Sequence, residues 1–285
     1  MHPIDRVTRI AELALRRAVV VATRAYRRST SRPGSLPHFM ILGAQKSGTT
    51  SLFGYLGQHP QVLRCLVKEV HFFDNRYDRG EAWYSSHFPA LDAGPPGAVV
   101  GEASPYYLCH PHAPRRIRTL LPGVKLIAIL RNPTERAISH YFHEVRKRRE
   151  TLPIREALRA EDERIGTEWD RMQADGSYTS RTHRSFSYKQ RGIYADQLER
   201  YWEHFDREQL LVVNSDDLFA KLHDTLRRIY DFIGVDPDFR CQDVAARNVG
   251  VNRTNVPSSV YESLDRFFRP HNQRLFEQIG RDFGW

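Results

Sequence analysis

Residues 39–51 of the chain read FMILGAQKSGTTS, and this stretch decides the fold. A short apolar run comes first, a loop framed by Gly43 and Gly48 follows, and hydroxyl residues then open a helical pattern. This order predicts a strand, a turn and the first turn of a helix. Such an arrangement presents backbone N–H groups to a phosphate or another tetrahedral anion.

The position of the lysine separates this loop from the phosphate loop of nucleotide hydrolases, which is spelled G-x-x-x-x-G-K-[ST]. Gly43 and Gly48 keep the glycine spacing, but Thr49 follows the second glycine and Lys46 lies inside the loop. This argues against ATP or GTP hydrolysis. A loop that only caps a helix is the alternative, but Lys46 favours an anion site. The donors would be the backbone amides of residues 47–51 and the hydroxyls of Ser47, Thr49, Thr50 and Ser51.

Length and charge limit the class of protein. At 285 residues, with 40% hydrophobic and 27% charged residues, the chain has room for one sizeable globular domain. It carries 43 basic and 34 acidic side chains, a net charge of +9. This excess favours anionic partners such as nucleotides or acidic glycans, although an arginine-rich composition alone gives the same number.

The three cysteines, Cys65, Cys109 and Cys241, are far apart, and none has metal-ligand spacing with a histidine. An odd number without a disulfide framework predicts reduced thiols and a cytoplasmic location. We expect no metal site.

Residues 1–37 are predicted to be a basic amphipathic N-terminal arm followed by a linker. Apolar residues recur at helical spacing among seven arginines in residues 4–28. The longest uncharged stretch, residues 18–23, is shorter than the apolar core of about 7–15 residues in a secretory signal. A basic amphipathic helix can lie on an anionic membrane surface, so the arm is a candidate for peripheral contact with the inner membrane face. A leader helix packed on the domain is the alternative.

Apolar runs bounded by turn residues alternate with helical patterns along the rest of the chain. This alternation predicts an α/β fold with a mostly parallel sheet and helices on both faces. Ligands of such sheets collect beyond the carboxyl ends of the strands. The predicted strands are residues 39–42, 99–102, 124–130 and 210–213. The predicted helices are residues 49–57, 112–121, 134–149, 194–205 and 217–233, with a closing helix that ends at Gly280.

Residues 151–191 interrupt this alternation. The pattern predicts a helix over residues 153–174 and then an irregular loop. Long loops in compact domains often serve as lids or binding loops. The segment is therefore a candidate lid or acceptor-binding insertion, and a mobile solvated insertion is the alternative.

A second candidate anion site follows the strand at residues 124–130. Arg131 stands at the strand end, Asn132 and Pro133 turn the chain, and Arg136 and Ser139 lie one turn apart on the next helix. An arginine at a strand end and a serine in the first turns of a helix can together hold a phosphate. With the first loop, this predicts a ligand that carries two separated anionic groups.

Two segments resemble those of sulfotransferases that use 3′-phosphoadenosine 5′-phosphosulfate (PAPS). The loop GAQKSGTTSL is similar to their 5′-phosphosulfate loop, and LRNPTERAISHYF is similar to their 3′-phosphate site. The intervening KEVHFFD adds to the likeness, which is closest to the glycan-modifying branch that includes heparan sulfate sulfotransferases. The resemblance implies a P-loop-like three-layer sandwich, no metal, and one domain, residues 38–285, for donor and acceptor.

The resemblance also implies which residues bind the donor. Lys46 would contact the phosphosulfate and stabilise charge on the departing phosphate, and Arg131 with Ser139 would hold the 3′-phosphate. Tyr194 resembles the tyrosine that opens a helix near the nucleotide. Either Arg247 or Arg253 would close a loop over the 3′-phosphate. The other donor-site candidates are Gln45, Ser47, Gly48, Thr49, Thr50 and Ser51.

The segment Lys68-Glu69-Val70-His71-Phe72-Phe73-Asp74 supplies the candidate catalytic groups. An acceptor hydroxyl loses a proton as it attacks sulfur, and a carboxylate within hydrogen-bond reach can take that proton. The resemblance implies that Glu69 is the base and that His71 and Asp74 assist it. Lys68, Asp74 and Glu102 are candidates for substrate binding. Ala103 stands where glycan sulfotransferases usually have a lysine, which weakens the case for a heparan-type acceptor.

The sequence therefore predicts transfer of a sulfuryl group from PAPS to a hydroxyl, less readily an amine, of a carbohydrate, glycolipid or other hydroxyl-bearing acceptor, with no nucleic-acid partner. One alternative is a P-loop kinase-like phosphotransferase, which would need Mg²⁺ and ATP. The other is a non-catalytic protein that binds an anionic polymer with a steep salt dependence.

Overall fold

The computed structural model describes residues 14, 18–23, 25, 34–245 and 256–285, and in this part of the chain five strands form one sheet. Every neighbouring pair of strands is parallel. The spatial order is β2-β3-β1-β4-β5. The strands are β1 (Phe39–Gly43), β2 (Val62–Arg64), β3 (Val99–Ala103), β4 (Lys125–Leu130) and β5 (Leu210–Asn214).

The central strand β1 is buried along its whole length, because the sheet is covered on both faces. Its Phe39 pairs with Gly101 of β3 on one side and with Lys125 of β4 on the other. A Cβ atom at Gly101 would lie 2.2 Å from the ring of Phe39. Glycine at this position therefore makes room for the aromatic ring next to the neighbouring strand.

The helices account for most of the remaining regular structure. Within residues 34–245 and 256–285 they are α1 (Thr49–Leu56), α2 (Phe72–Asn75), α3 (Glu81–Ser85), α4 (Ala113–Leu120), α5 (Pro133–Arg146), α6 (Ile154–Arg159), α7 (Glu161–Ile165), α8 (Glu168–Ala174), α9 (Arg181–Phe186), α10 (Tyr194–Trp202), α11 (Ser215–Ala220), α12 (Leu222–Ile233) and α13 (Ser258–Ile279).

Helices cover both faces of the sheet, as the sequence predicts. The chain crosses from β1 to β2 toward one end of the sheet, and from β3 to β4 and from β4 to β5 toward the other end. Right-handed crossovers therefore place α1 and α4 on opposite faces of the sheet. Contacts agree with this placement. The ring of His59, just after α1, lies 4.8 Å from that of Tyr230 in α12. On the other face, the Tyr201 hydroxyl of α10 donates to the carbonyl oxygen of Tyr107 at 3.0 Å.

The observed boundaries of helices and strands differ from the predicted ones in several short segments. The predicted helix at residues 153–174 is three short helices, α6 to α8, and α9 lies within the predicted irregular loop. Such short helices are marginal on their own, and burial of Ala157, Ile165 and Met172 stabilises them. The predicted helix at residues 217–233 is divided at Lys221, and β2 was not predicted because it is only 3 residues long. The predicted end of the closing helix at Gly280 is confirmed by its left-handed φ of +65°.

Only part of the predicted N-terminal arm is described. Residues 18–23 are helical, and Val19 and Val21 are exposed. Most of residues 1–33 lie outside the described part. Among the described residues, no helix combines the length and apolar character that a membrane crossing requires.

Candidate active site

The loop between β1 and α1 lies at the carboxyl edge of the sheet. The amide of Ala44 donates to the carbonyl oxygen of Ile129 at 2.7 Å, which ties the loop to β4. Both glycines meet a steric requirement. Gly48, with a φ of +95°, adopts a left-handed conformation directly before α1, and a Cβ at Gly43 would lie 2.7 Å from the Cβ of Leu108. The glycine spacing in the sequence therefore reflects backbone geometry.

The loop buries two polar side-chain atoms. Oε1 of Gln45 has no hydrogen bond among the described residues, and Oγ of Ser47 lies near Tyr194, whose pKa it acts to lower. Buried polar groups are rarely left unsatisfied, so the Gln45 oxygen is suited to contact a polar ligand. Both Ser47, in the loop, and Ser51, in α1, are buried. The Ser47 hydroxyl can donate to an anion, whereas Oε1 of Gln45 only accepts and needs a donor on the ligand.

Lys46 stands within the loop with a left-handed φ of +73°. Its charge acts on two histidines of α5. Burial, helped by the charges of Lys147 and Lys46, lowers the pKa of His143 to about 4. His140 is fully buried, and burial together with nearby cations that include Lys46 holds its pKa well below the ordinary value. The loop lysine therefore contributes to a positive region shared with α5.

The residues of the second predicted anion site lie at the start of α5 and around it. Asn132 accepts from the amide of Thr134 at 2.9 Å and caps the helix, as expected of a residue that turns the chain there. The guanidinium of Arg131 lies 3.0 Å from the carboxylate of Glu135. The Tyr194 hydroxyl donates to the carbonyl oxygen of Arg131 at 2.9 Å. The structure thus brings Arg131 and Tyr194 together, although 63 residues separate them.

Arg136 and Ser139 are both buried on α5. Nη2 of Arg136 donates to the carbonyl oxygen of Tyr188, whereas Nε and Nη1 are buried without partners among the described residues. Burial lowers the pKa of Arg136 to about 10, so the guanidinium stays charged at neutral pH. A second cation, the buried Arg136, therefore follows Arg131 in the first two turns of α5.

Residues 69–71 run along the same edge of the sheet. The amide of Glu69 donates to the carbonyl oxygen of Ala103 at 3.0 Å, and Ala103 pairs in register with Ile41 of β1. Glu69 and His71 both have positive φ values, +65° and +56°. Non-glycine residues in this region often mark functional sites. The backbone therefore holds Glu69 at the end of β3, the neighbour of the strand β1 that leads into the anion loop.

The carboxylate of Glu69 lies between two nitrogen donors. Nζ of Lys68 is 2.8 Å from Oε1, and Nε2 of His71 is 3.4 Å from Oε2. Burial acts to raise the pKa of Glu69, but the hydrogen bond with His71 and the charge of Lys68 outweigh it and lower the pKa well below its usual range. Glu69 is therefore ionised at neutral pH.

His71 is held on both ring nitrogens. Nδ1 lies 2.7 Å from Oδ2 of Asp74, and Nε2 lies 2.6 Å from Nη2 of Arg184 in α9. Burial and the charge of Arg184 act to lower the pKa of His71, but hydrogen bonds with Asp74 and Glu69 prevail and raise it. The predicted trio of Glu69, His71 and Asp74 thus converges as the sequence suggests. The Asp74 side chain is fully buried, so its carboxylate serves His71 in this structure.

Glu102 differs from the other predicted substrate-binding residues because it is fully buried. Its carboxylate accepts from Ser104 at 2.7 Å, from Tyr107 at 2.8 Å and from Tyr84. Burial raises its pKa to about 7. Glu102 is therefore linked to the site indirectly, since Oγ of Ser104 also accepts from the amide of His71 at 3.4 Å. Contact with substrate remains a prediction for Glu102.

Two basic residues near Glu69 were missed by sequence reasoning. Arg184 reaches His71 from the predicted insertion, and Lys147, just after α5, is close enough for Glu69 and Arg184 to affect its pKa, which burial lowers. Nothing in their local sequence marks either residue, because they reach the site through tertiary packing. Arg247 and Arg253 lie outside the described residues. Among the described side chains, no group of three or more His, Cys, Asp or Glu is placed to hold a metal ion.

The chain is similar in sequence and in fold to known sulfotransferases. Residues 36–267 match the family model described as sulfotransferase domain. The chain is 31% identical to heparan sulfate glucosamine 3-O-sulfotransferase 3B1 of Homo sapiens, over 90% of this chain and 67% of that protein. It is also 31% identical to heparan sulfate glucosamine 3-O-sulfotransferase 6 of Mus musculus, over 90% of this chain and 76% of that protein. Among solved structures, a sulfotransferase from Alicyclobacillus acidocaldarius is similar with a TM-score of 0.67 and 33% identity, over 87% of this chain and 98% of that chain.

Proposed function

The chain belongs to the sulfotransferase family and is a sulfotransferase, and from the arrangement of its site we propose that it moves a sulfuryl group from PAPS to a hydroxyl of a carbohydrate acceptor. The observation that carries the proposal is the position of Glu69. Its ionised carboxylate lies at the carboxyl edge of the sheet, at the end of β3, which pairs with the strand that enters the anion loop.

PAPS suits the two basic regions at this edge. Its phosphosulfate would bind in the loop at residues 43–51, where the buried Ser47 hydroxyl can donate. Its 3′-phosphate would bind near Arg131, Ser139 and Tyr194. Two anionic groups at opposite ends of one ligand match the two separated sites.

In the proposed reaction, the acceptor oxygen attacks sulfur and forms a new S–O bond. The S–O bond to the phosphate breaks, and its electron pair stays on the phosphate oxygen. Lys46 stabilises the charge that develops on this oxygen. Glu69 takes the proton of the acceptor hydroxyl.

The low pKa of Glu69 fits this role once the acceptor binds. Lys68 contacts the Glu69 carboxylate in the protein alone and stabilises its ionised form. An acceptor hydroxyl that displaces Lys68 would remove this stabilisation and raise the pKa of Glu69. A stronger base would then form only where an acceptor is present. His71, held by Asp74, keeps the carboxylate in place.

The acceptor is proposed from chemistry and from the relatives. Lys68, Lys147 and Arg184 surround Glu69 with positive charge, which favours an anionic acceptor. Both relatives are named as acting on heparan sulfate glucosamine, which supports a carbohydrate. Ala103 in place of the usual lysine favours a different anionic glycan or glycolipid. The three cysteines are free and buried, which supports the proposed cytoplasmic location.

The test is transfer of radiolabelled sulfate from PAPS to a panel of glycans, glycolipids, small alcohols and amines. We expect labelled product from at least one anionic carbohydrate, without added metal. Label transfer only from ATP with Mg²⁺ would support the phosphotransferase alternative. Salt-sensitive binding of polyanions with no transfer from either donor would support the non-catalytic alternative.

A further inference from the structure

A cavity of about 170 Å³ lies between α10 and the helices of the 151–191 segment. Its walls include Trp169 of α8, His183 of α9, Arg191 just before α10 and Arg200 of α10. One water molecule needs only about 10–15 Å³ of such space. The cavity therefore has room for a polyatomic ligand.

Two guanidinium groups in this wall have few partners. Arg191 is 4% exposed and donates to the carbonyl oxygen of Arg184 at 3.3 Å. Arg200 donates to the carbonyl oxygen of Cys109 at 3.4 Å, and its Nε is buried without a partner among the described residues. Neither arginine forms an ion pair with a described carboxylate. Because buried charges are costly unless they are paired, both are suited to receive an anion.

The other polar residues of the wall do not neutralise this charge. The carboxylate of Asp196 is already paired with Arg274 of α13. Burial lowers the pKa of His183 to about 4, so its ring is neutral at physiological pH, with Nδ1 held 2.8 Å from the Tyr106 hydroxyl. The amide nitrogen of Gln197 donates one hydrogen to the carbonyl oxygen of Ile193 at 3.0 Å and has a second hydrogen to donate. The lining therefore keeps an excess of positive charge and of donors.

The cavity is distinct from the proposed transfer site. Its lining includes none of the loop residues 43–51, and neither Glu69, His71 nor Arg131. The ring of Tyr106 contacts both regions, with the guanidinium of Arg191 at 5.0 Å and that of Arg184 at 5.5 Å. An ion in the cavity would therefore not occupy the place of donor or acceptor.

We infer that this cavity is a second anion site, which binds a free tetrahedral oxyanion such as sulfate or phosphate between Arg191 and Arg200. Paired guanidinium groups match the oxygens of such an ion, and charge-assisted hydrogen bonds make the contact strong. The amide of Gln197 adds a donor. Asp196 lines the cavity and has 49% of its side chain exposed, so the cavity reaches the protein surface.

Crystals of the full chain soaked in sodium selenate test the inference, because selenium locates a tetrahedral anion by its anomalous scattering. We expect a peak between Arg191 and Arg200 in the wild type. In Arg200→Gln this peak should be lost, while any selenate in the loop at residues 43–51 remains. Arg115→Gln, which removes an exposed arginine of α4, is the matched control and should keep both peaks.

Calorimetric titration with sodium sulfate, against sodium chloride at equal ionic strength, gives the corresponding result in solution. Arg200→Gln should weaken sulfate binding at the second site by at least about tenfold, since it loses a charge-assisted hydrogen bond. Circular dichroism checks that the variant is folded. If the variant is not folded, the selenate map of the wild type alone tests the inference. A cavity without selenate at saturating concentration, or sulfate binding unchanged in folded Arg200→Gln, overturns the inference.

Discussion

Nη2 of Arg184 lies 2.6 Å from Nε2 of His71, although 113 residues separate the two along the chain. On the other side of the ring, Nδ1 lies 2.7 Å from Oδ2 of Asp74, so the contact with Arg184 joins the imidazole to a distant helix. Through it, α9 of the 151–191 segment is joined directly to the residues proposed to carry out transfer. The segment predicted as a lid or acceptor-binding insertion thus contributes a side chain to the candidate site.

Arg184→Gln should raise the pKa of His71 further, because the charge of Arg184 is one of the influences that lower it. The imidazole signals of His71 in an NMR pH titration measure this shift. Arg181→Gln, at an exposed position of the same helix, should leave the titration unchanged. A His71 pKa that falls or stays constant in Arg184→Gln would show that the contact does not act on the imidazole.

Lys46→Ala should reduce kcat on the order of 10²–10³-fold, because the departing phosphate loses its electrostatic stabilisation. The thermal unfolding midpoint should change little, since Lys46 lies in a loop. Lys221→Ala, at an exposed position, is the control and should retain full activity. Turnover within tenfold of the wild type would contradict the proposed role of Lys46.

Glu69→Gln should lower kcat on the order of 10²–10⁴-fold, as expected when a general base is removed. Binding of PAPS should be preserved, because Glu69 belongs to the acceptor side of the proposed reaction. Initial rates and equilibrium binding of the donor separate the two effects. Exposed Glu81→Gln serves as control. An unchanged kcat in Glu69→Gln would exclude Glu69 as the base.

Tyr194→Phe should raise the KM for PAPS by roughly 3–10-fold with a smaller effect on kcat. The variant loses the hydrogen bond to the Arg131 carbonyl oxygen, and one such bond contributes about 0.5–1.5 kcal/mol. Steady-state kinetics with PAPS as the varied substrate measures this. Tyr261→Phe on α13 provides a matched removal of a hydroxyl. Equal KM values in the wild type and Tyr194→Phe would show that Tyr194 does not order the donor site.

Glu102→Gln should remove one component of the pH dependence of stability. The pKa of Glu102 is raised from 4.5 to about 7 by burial, so between these values the folded protein binds more protons than the unfolded chain. This group therefore makes the free energy of unfolding fall as pH rises from 4.5 to 7, by on the order of 3 kcal/mol, with no further change above pH 7.

Urea unfolding of wild type and Glu102→Gln at several pH values from 4.5 to 8 isolates this component as a difference. The decline should be smaller in the variant. Glu203→Gln, which removes an exposed carboxylate, should keep the wild-type dependence. Parallel curves for wild type and Glu102→Gln would show that Glu102 is ionised throughout this range.

The fold class and the central elements of the site follow from local patterns in the amino-acid sequence. Apolar runs mark β1, β3, β4 and β5, because strands buried on both faces need continuous apolar residues. The spacing of Gly43 and Gly48 predicts the anion loop, since only glycine readily adopts the backbone that the turn requires. The motif around Glu69, His71 and Asp74 also predicts a local cluster, because those residues are close along the chain.

Only the tertiary structure decided which distant residues join that cluster. Arg184 reaches His71, Tyr194 reaches Arg131, and Glu102 is enclosed by three hydroxyls, as a result of packing between elements far apart in sequence. The short helices of residues 151–191 also depend on burial rather than on local preference. Local pattern fixes strands and tight loops, whereas the charges and partners that tune a side chain are set by the folded neighbours around it.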